Sequence, residues 1–270
     1  MSVASRPFHL ELDPTAIVRA IDTAVVASTE VVNFHFSNLD KADLTQRDEA
    51  DVRVRFRGVD LTPEQRRAMH ENWLLARAIQ ELLRAVRHGL ELAHVVTAVV
   101  NKKHSVKSDA TIADFMKPFE AKAASLSFPQ LLADVNDRLE TKLDFAESYK
   151  SLQAARNCLE HRAGIVGKPE TKGKDEFEIS VPRMKIFYMR GDDEIEVAAG
   201  QIVQPGEGKD HAEILMKIEE KKRTLKVGER LAFTLSEFNE IAFACHHLGQ
   251  QLVGKLPKPI LVDEAVEGAG

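Results

Sequence analysis

The 270-residue sequence predicts a mainly α protein: an antiparallel helical bundle carrying a small antiparallel β insertion (α+β). Three observations predict it. Apolar residues recur every three or four positions from Met69 to Val100 without a break. Further apolar stripes, each opened by a helix-start signal, lie before and after that run. Beyond residue 167 the hydrophobic period shifts from helical to alternating.

Taken in order, the first helix starts at Asp13, an N-cap, with Pro14 in the first turn, where a missing N–H costs nothing. Ile17, Ile21, Ala24 and Val25 form its stripe. Residues 38–60 are polar and charged, and VRVRF at 52–56 alternates as a short exposed strand does. Thr62, Pro63 and Glu64 then combine a cap, a first-turn proline and an early acid. Behind them Met69, Trp73, Ala76, Ile79, Leu83, Val86, Leu90, Ala93, Val96 and Val100 make one stripe, with Trp73 assigned to the core. This is one helix of about 40 residues, or two joined near Gly89, about 60 Å long at 1.5 Å per residue. Alone it would expose its apolar seam, so partner helices are required.

A basic stretch, NKKHSVK, precedes a short helix around Ile112 to Phe119. Ser127 and Pro129 open another, striped by Phe128, Leu132, Val135, Leu139 and Leu143. Asp144 caps the next, whose apolar positions are Phe145, Tyr149, Leu152, Ala155 and Leu159. Gly164 closes that helix, with Ile165 and Val166 as the apolar wrap beyond a glycine cap. GKPETKGK at 167–174 has the composition of a polar loop, and DEFEISVPRMKIFYM alternates like strands broken at Pro182. DDEIEVAA, AEILMKIEE and ERLAFTL continue in that style, separated by PGEGKD and KVGE turns. Thr234 or Ser236 begins a last helix through Phe238, Ile241, Ala242, Cys245, Leu248 and Leu252. The expected organisation is an N-terminal helix and extended segment (1–60), a helical core (61–166), a β-rich insertion (167–233), a helix returning to the bundle (234–256) and a loose tail (257–270). That is one domain with an insertion rather than two independent ones.

Composition narrows the function classes. Hydrophobic residues at 44% and charged residues at 29% support a sizeable core. A net charge of -5 argues against a general electrostatic grip on nucleic acid or an anionic membrane, and leaves room only for local basic patches. The two cysteines, Cys158 and Cys245, are far apart and in no metal-ligand spacing, which suits a reducing compartment. The opening MSVASRPFHLELDP lacks the continuous apolar core of a signal peptide, and no run approaches the roughly 20 apolar residues of a membrane span. A cytoplasmic protein without metal, cofactor or membrane partner is expected.

The segment from Arg156 to His161 carries the candidate chemistry. On a helical wheel Leu152, Ala155, Leu159 and Ala163 share the apolar sector, while Asn157 and His161 are neighbours on the opposite face. Arg156 lies about 140° from His161 on the same wheel. An Arg, a polar residue and then a His near a helix end resembles the signature of the HEPN superfamily, the helical nucleotide-binding proteins of higher eukaryotes and prokaryotes. The matching residues are Arg156, Asn157 and His161, and the resemblance, which extends to uncharacterised bacterial members, covers roughly residues 60–165 with the final helix completing the bundle. It implies a metal-independent endoribonuclease of the defence or toxin kind, acting on RNA as a homodimer. His161 would then move protons, Arg156 would hold the scissile phosphate, and Asn157 would orient the imidazole or donate to phosphate. Dimerisation would bring Arg156 of one subunit to His161 of the other, and Lys168, Lys172 and Lys174, just past the motif, would guide the RNA backbone. A non-catalytic helical binding or scaffold protein of the same fold is the alternative, with the β insertion as its contact surface. Plain structural roles also exist: cations such as His161 and Arg162 in a last helical turn are favoured by about 0.3–1 kcal/mol, and Arg156 can pair with Glu160. His88 and His94 lack a carboxylate at metal-ligand spacing, and PGEGKD lacks the Ser or Thr of a phosphate loop.

Overall fold

Capping side chains decide where the helices of this computed structural model begin. Helix α1 (Thr15–Leu39) opens on Asp13, whose carboxylate accepts the Thr15 backbone N–H at 2.9 Å. Helix α2 (Pro63–Val100) opens on a reciprocal pair, Thr62 with Gln65, and runs 38 residues without dividing at Gly89. Thr111 with Asp114 opens α3 (Ile112–Ser125), which continues past Phe119 to Ser125. Ser127 with Gln130, and Pro129 in the first turn, open α4 (Phe128–Arg138). Then come α5 (Ala146–Arg162), the single turn α6 (Lys168–Thr171), strands β1 (Glu176–Arg190), β2 (Asp193–Glu196) and β3 (Leu215–Lys226), and α7 (Leu235–Gly254), opened by Thr234 with Glu237. The fold is mainly α with a small antiparallel sheet of order β2-β1-β3. The structure describes residues 12–45, 60–100, 111–198, 201–204 and 213–257. The strand expected at 52–56, the basic stretch at 101–107, the turn at 205–210 and nearly all of the tail lie outside them.

Several expectations are corrected. Pro182 does not break the first strand, which is continuous for 15 residues. Ser180 donates its N–H to Ser151 Oγ at 2.9 Å, away from β3, and two residues on the Pro182 nitrogen points the same way. Because β2 pairs only with Phe187–Arg190, the N–H that Pro182 lacks removes no ladder bond. Residues 167–174 are not simply a polar loop. Glu170 folds inward and accepts the Gly167 N–H at 2.9 Å, which winds α6. ERLAFTL is not a strand either, and contributes one bridge, Ile165 to Arg230. Trp73 and Met69 are not core but 63% and 50% exposed. At that end of α2 the buried side is Leu74, Leu75, Ala78, Ile79 and Leu82.

The chain forms two compact units, and α1, α2 and α7 contribute to both. One unit comprises Met1–Thr23, Arg84–Ala146 and His246–Gly270, as far as these are described. Its core holds Ile17, Ile21, Val86, Leu90, Leu131, Leu132, Val135, Leu248 and Leu252. Small residues admit Ile21: a Cβ on Gly89 would stand 2.7 Å from Ile21 Cδ1, and one on Gly249 would stand 3.3 Å from it. His94 is buried there, with Nδ1 2.7 Å from Asp134 Oδ2.

The other unit, Ala24–Leu83 with Glu147–Cys245, holds the sheet. Tyr149 on α5 donates to the Ala244 carbonyl of α7 at 3.2 Å, and Phe177, Ile179, Leu231 and Phe238 fill the interior. Ser148 of α5 bonds both Ser180 of β1 and Glu220 of β3, which ties helix to sheet through two buried serines and a part-buried carboxylate. Farther along, Arg183 of β1 forks onto Glu196 of β2 and reaches Glu219 of β3, cross-linking all three strands.

Burial and the nearby Arg138 guanidinium hold the His94 imidazole below its ordinary pKa of about 6.5, against the opposing pull of Asp134. As pH falls, the unfolded chain takes up this proton first. The stability owed to the neutral buried ring is therefore complete above about pH 6.5 and declines below it. We expect the urea midpoint to drop below that pH, and His94→Gln to flatten the drop. A residual slope should remain from His247, which burial also holds low. An unchanged slope in the variant would refute the assignment.

Candidate functional site

The apolar stripe of α5, namely Tyr149, Leu152, Ala155 and Cys158, is buried, and this turns the opposite face outward. The helix ends abruptly. Ala163 and Gly164 take φ values of 49° and 80°, and the Gly164 N–H closes on the Cys158 carbonyl at 3.1 Å. The chain then runs antiparallel to residues 228–231: Val166 donates to Glu229 at 2.9 Å, Gly228 to Val166 at 2.9 Å and Leu231 to Gly164 at 2.7 Å. A Cβ on Gly164 would lie 2.9 Å from the Leu231 carbonyl oxygen, so glycine meets two demands at once. Behind this corner Arg162 grips Glu170 with two nitrogens, at 2.7 and 3.0 Å, and the Glu170 side chain is 3% exposed.

This corner projects His161, whose side chain is 63% exposed. Its Nε2 lies 3.7 Å from Glu160 Oε2, and Arg156 reaches the same oxygen with one guanidinium nitrogen at 2.7 Å. Arg156 and His161 are thus brought together through the Glu160 carboxylate, which bridges the angle between them. Asn157 faces the other way along the helix. Its side-chain oxygen accepts Gln153 Nε2 at 3.0 Å and Arg156 at 3.4 Å. The Arg156 Nε is buried without a hydrogen-bond partner among the described residues.

His161 and Glu160 line a cleft of about 850 Å³, walled by residues 61–80 at the start of α2 and by residues 230–233. Arg77, Gln80, Asn72, Gln65 and Trp73 face it from α2, and Arg230 and Phe233 from the other wall. The Arg77 guanidinium lies over the Trp73 ring, 5.9 Å from its centroid, and donates to Gln80 at 3.0 Å. Arg156 and Asn157 do not line the cleft. Lys168 and Lys174 border a second cavity of about 790 Å³ with Lys226, and Lys172 sits in a left-handed cap outside its lining.

Among these groups, sequence reasoning missed Trp73, Arg77 and Arg230 and weighed Glu160 only as a partner for Arg156. The signal for Trp73 was present: Leu74, Leu75 and Ala78 offer a rival inward face one position away. Nothing local marks Arg230, because a chain reversal brings it to the cleft.

Both cysteines are buried and free, and burial pushes Cys158 up to about 11 and Cys245 up to about 12, so neither is a thiolate near neutrality. Among the described residues no group of three or more His, Cys, Asp or Glu is placed to hold a metal ion, and no helix is long and apolar enough to cross a membrane. Compared with protein-family models, with curated proteins and with solved structures, the chain matches none of them.

Two substitutions test the corner that carries His161. Gly164→Ala should lower unfolding free energy by about 2 kcal/mol, from the left-handed backbone and the carbonyl contact together. Glu170→Ala should cost about 2 kcal/mol, below the usual penalty for breaking a buried pair because Arg162 keeps some access to water. Chemical denaturation reads both, and losses under about 0.5 kcal/mol would show that the corner is not held this way.

Proposed function

We propose that this chain is a HEPN-like, metal-independent endoribonuclease of the cytoplasm, an antiparallel helical bundle acting as a homodimer on RNA laid in the cleft beside His161. The observation that carries the reading is an exposed imidazole at a helix end, opening onto a cleft that also holds Arg77 and Arg230. An imidazole exchanges protons near neutral pH, so it suits transfer to and from RNA oxygens without a metal.

In the proposed reaction His161 takes the proton of the 2′-OH as that oxygen bonds to phosphorus. The bond from phosphorus to the 5′-oxygen breaks, and this oxygen takes a proton from the protonated His161 of the second copy. The products are a 2′,3′-cyclic phosphate and a free 5′-OH. Arg156 exchanges Glu160 for the phosphate and offsets the charge gathering on it. Asn157, hydrogen-bonded to Arg156, holds the guanidinium in range, and Lys168, Lys172 and Lys174 guide the strand beyond.

One observation favours a second reading, a non-catalytic binding or scaffold protein of the same fold: Arg156 is already neutralised by Glu160 at 2.7 Å. Labelled RNA incubated in EDTA with wild-type protein, Arg156→Ala and His161→Ala separates the two. Cleavage by wild type, reduced at least about 100-fold in both variants, is expected. Equal cleavage by all three, or none by any, removes the enzyme; binding without cleavage favours the second reading.

A further inference from the structure

The one tryptophan of the chain stands in the cleft with most of its surface in water, at 63% exposure. Indole carries a large apolar area, and leaving it solvated forgoes burial worth several kcal/mol, so an open indole at a concave site asks for an occupant. The surroundings specify its chemistry. Arg77 lies over the ring, and Arg230 and His161 bring further cationic or protonatable groups. Glu160, the acid of the lining, is compensated by Arg156. Gln65 and Asn72 add amide donors and acceptors. A flat aromatic face beside cations and amides complements a planar, hydrogen-bonding ring attached to an anion.

We propose that Trp73 and Arg77 form a base-binding ledge, on which one unpaired nucleobase of an RNA strand stacks while its phosphate lies toward the cationic lining. The substrate class is therefore single-stranded RNA, because a base within a duplex has no free face to offer. This deepens the ribonuclease reading and rests on RNA entering that cleft. Stacking on an aromatic side chain contributes about 1–3 kcal/mol per base and tolerates sequence, so the ledge selects strandedness before base identity.

The lone tryptophan is also the reporter. Full-length protein is titrated with a 2′-O-methyl single-stranded oligonucleotide, which cannot be cleaved because its attacking hydroxyl is blocked, and with the same sequence as a duplex. Saturable quenching of Trp73 emission by the single strand, and at least tenfold weaker binding of the duplex, are expected. By anisotropy of a labelled oligonucleotide, Trp73→Ala should raise Kd about 10- to 100-fold, and Trp73→Phe should restore most of the affinity. His161→Ala should keep the quenching while losing cleavage of unmodified RNA. Because position 73 is exposed, these substitutions leave the core untouched, which circular dichroism verifies. Unchanged emission at saturating oligonucleotide, an unaltered Kd in Trp73→Ala, or emission that responds only to protein concentration (a second copy covering the indole) overturns the ledge. Cleavage without quenching removes the ledge and spares the nuclease; quenching without cleavage upholds the ledge and removes the nuclease.

Discussion

Three backbone hydrogen bonds between residues 164–166 and 228–231 hold the end of α5 against the segment that follows β3. Each contributes on the order of 1 kcal/mol net, yet their geometric consequence exceeds that sum. They set the last turn of one helix and the 230–233 segment side by side, so two walls of the cleft come from a single pairing. Glycine at 164 permits the approach, and the Arg162–Glu170 fork behind it keeps the corner from unwinding. His161 owes its outward direction to this corner more than to any contact of its own ring.

Electrostatics at the corner are organised by Glu160. One carboxylate oxygen lies 2.7 Å from Arg156 and 3.7 Å from the His161 ring, so the guanidinium is compensated while the imidazole is left accessible. The pair is partly buried, with side chains 21% and 31% exposed, so a group that draws Arg156 away must replace the carboxylate it leaves. Arg156 stays outside the cleft lining, and Glu160, which it pairs with, is the acid that lining contains. Arg77 and Arg230 add cations to the same lining without belonging to the motif helix.

Helix α2 shows how one element serves two environments. Toward its C-terminal end, Val86, Leu90 and Ala93 are fully buried and Gly89 lets Ile21 close in. Toward its start the buried side moves to Leu74, Leu75, Ala78, Ile79 and Leu82, releasing Met69 and Trp73. A helix of 38 residues cannot keep a three-four repeat on one strict line, because 3.6 residues per turn make that line drift around the cylinder. The stripe drawn from Met69 to Val100 followed the period correctly and misplaced the face at one end.

Local chemistry settled much by itself. Asp13, Thr62 and Thr234 start helices because their side chains accept N–H groups within three residues, Ser127 starts one with its own N–H donated to Gln130 Oε1, and Gly164 ends one because its backbone turns left-handed. The change of period beyond residue 167 announced the sheet, which begins at Glu176, since alternation is a property of consecutive residues. What needed the folded chain depended on groups distant in sequence. Pro182 is harmless because no strand among the described residues lies on the side its nitrogen faces, and Glu170 is buried because Arg162 reaches it. The cleft exists because residue 231 returns to residue 164, a pairing 67 positions apart that no local pattern encodes. The unbroken β1, the α6 turn and the loss of a strand at ERLAFTL likewise needed the fold. Sequence alone thus marked the helix starts and the region of the sheet and singled out His161. Tertiary structure decided what surrounds it, because burial and proximity belong to the packed chain.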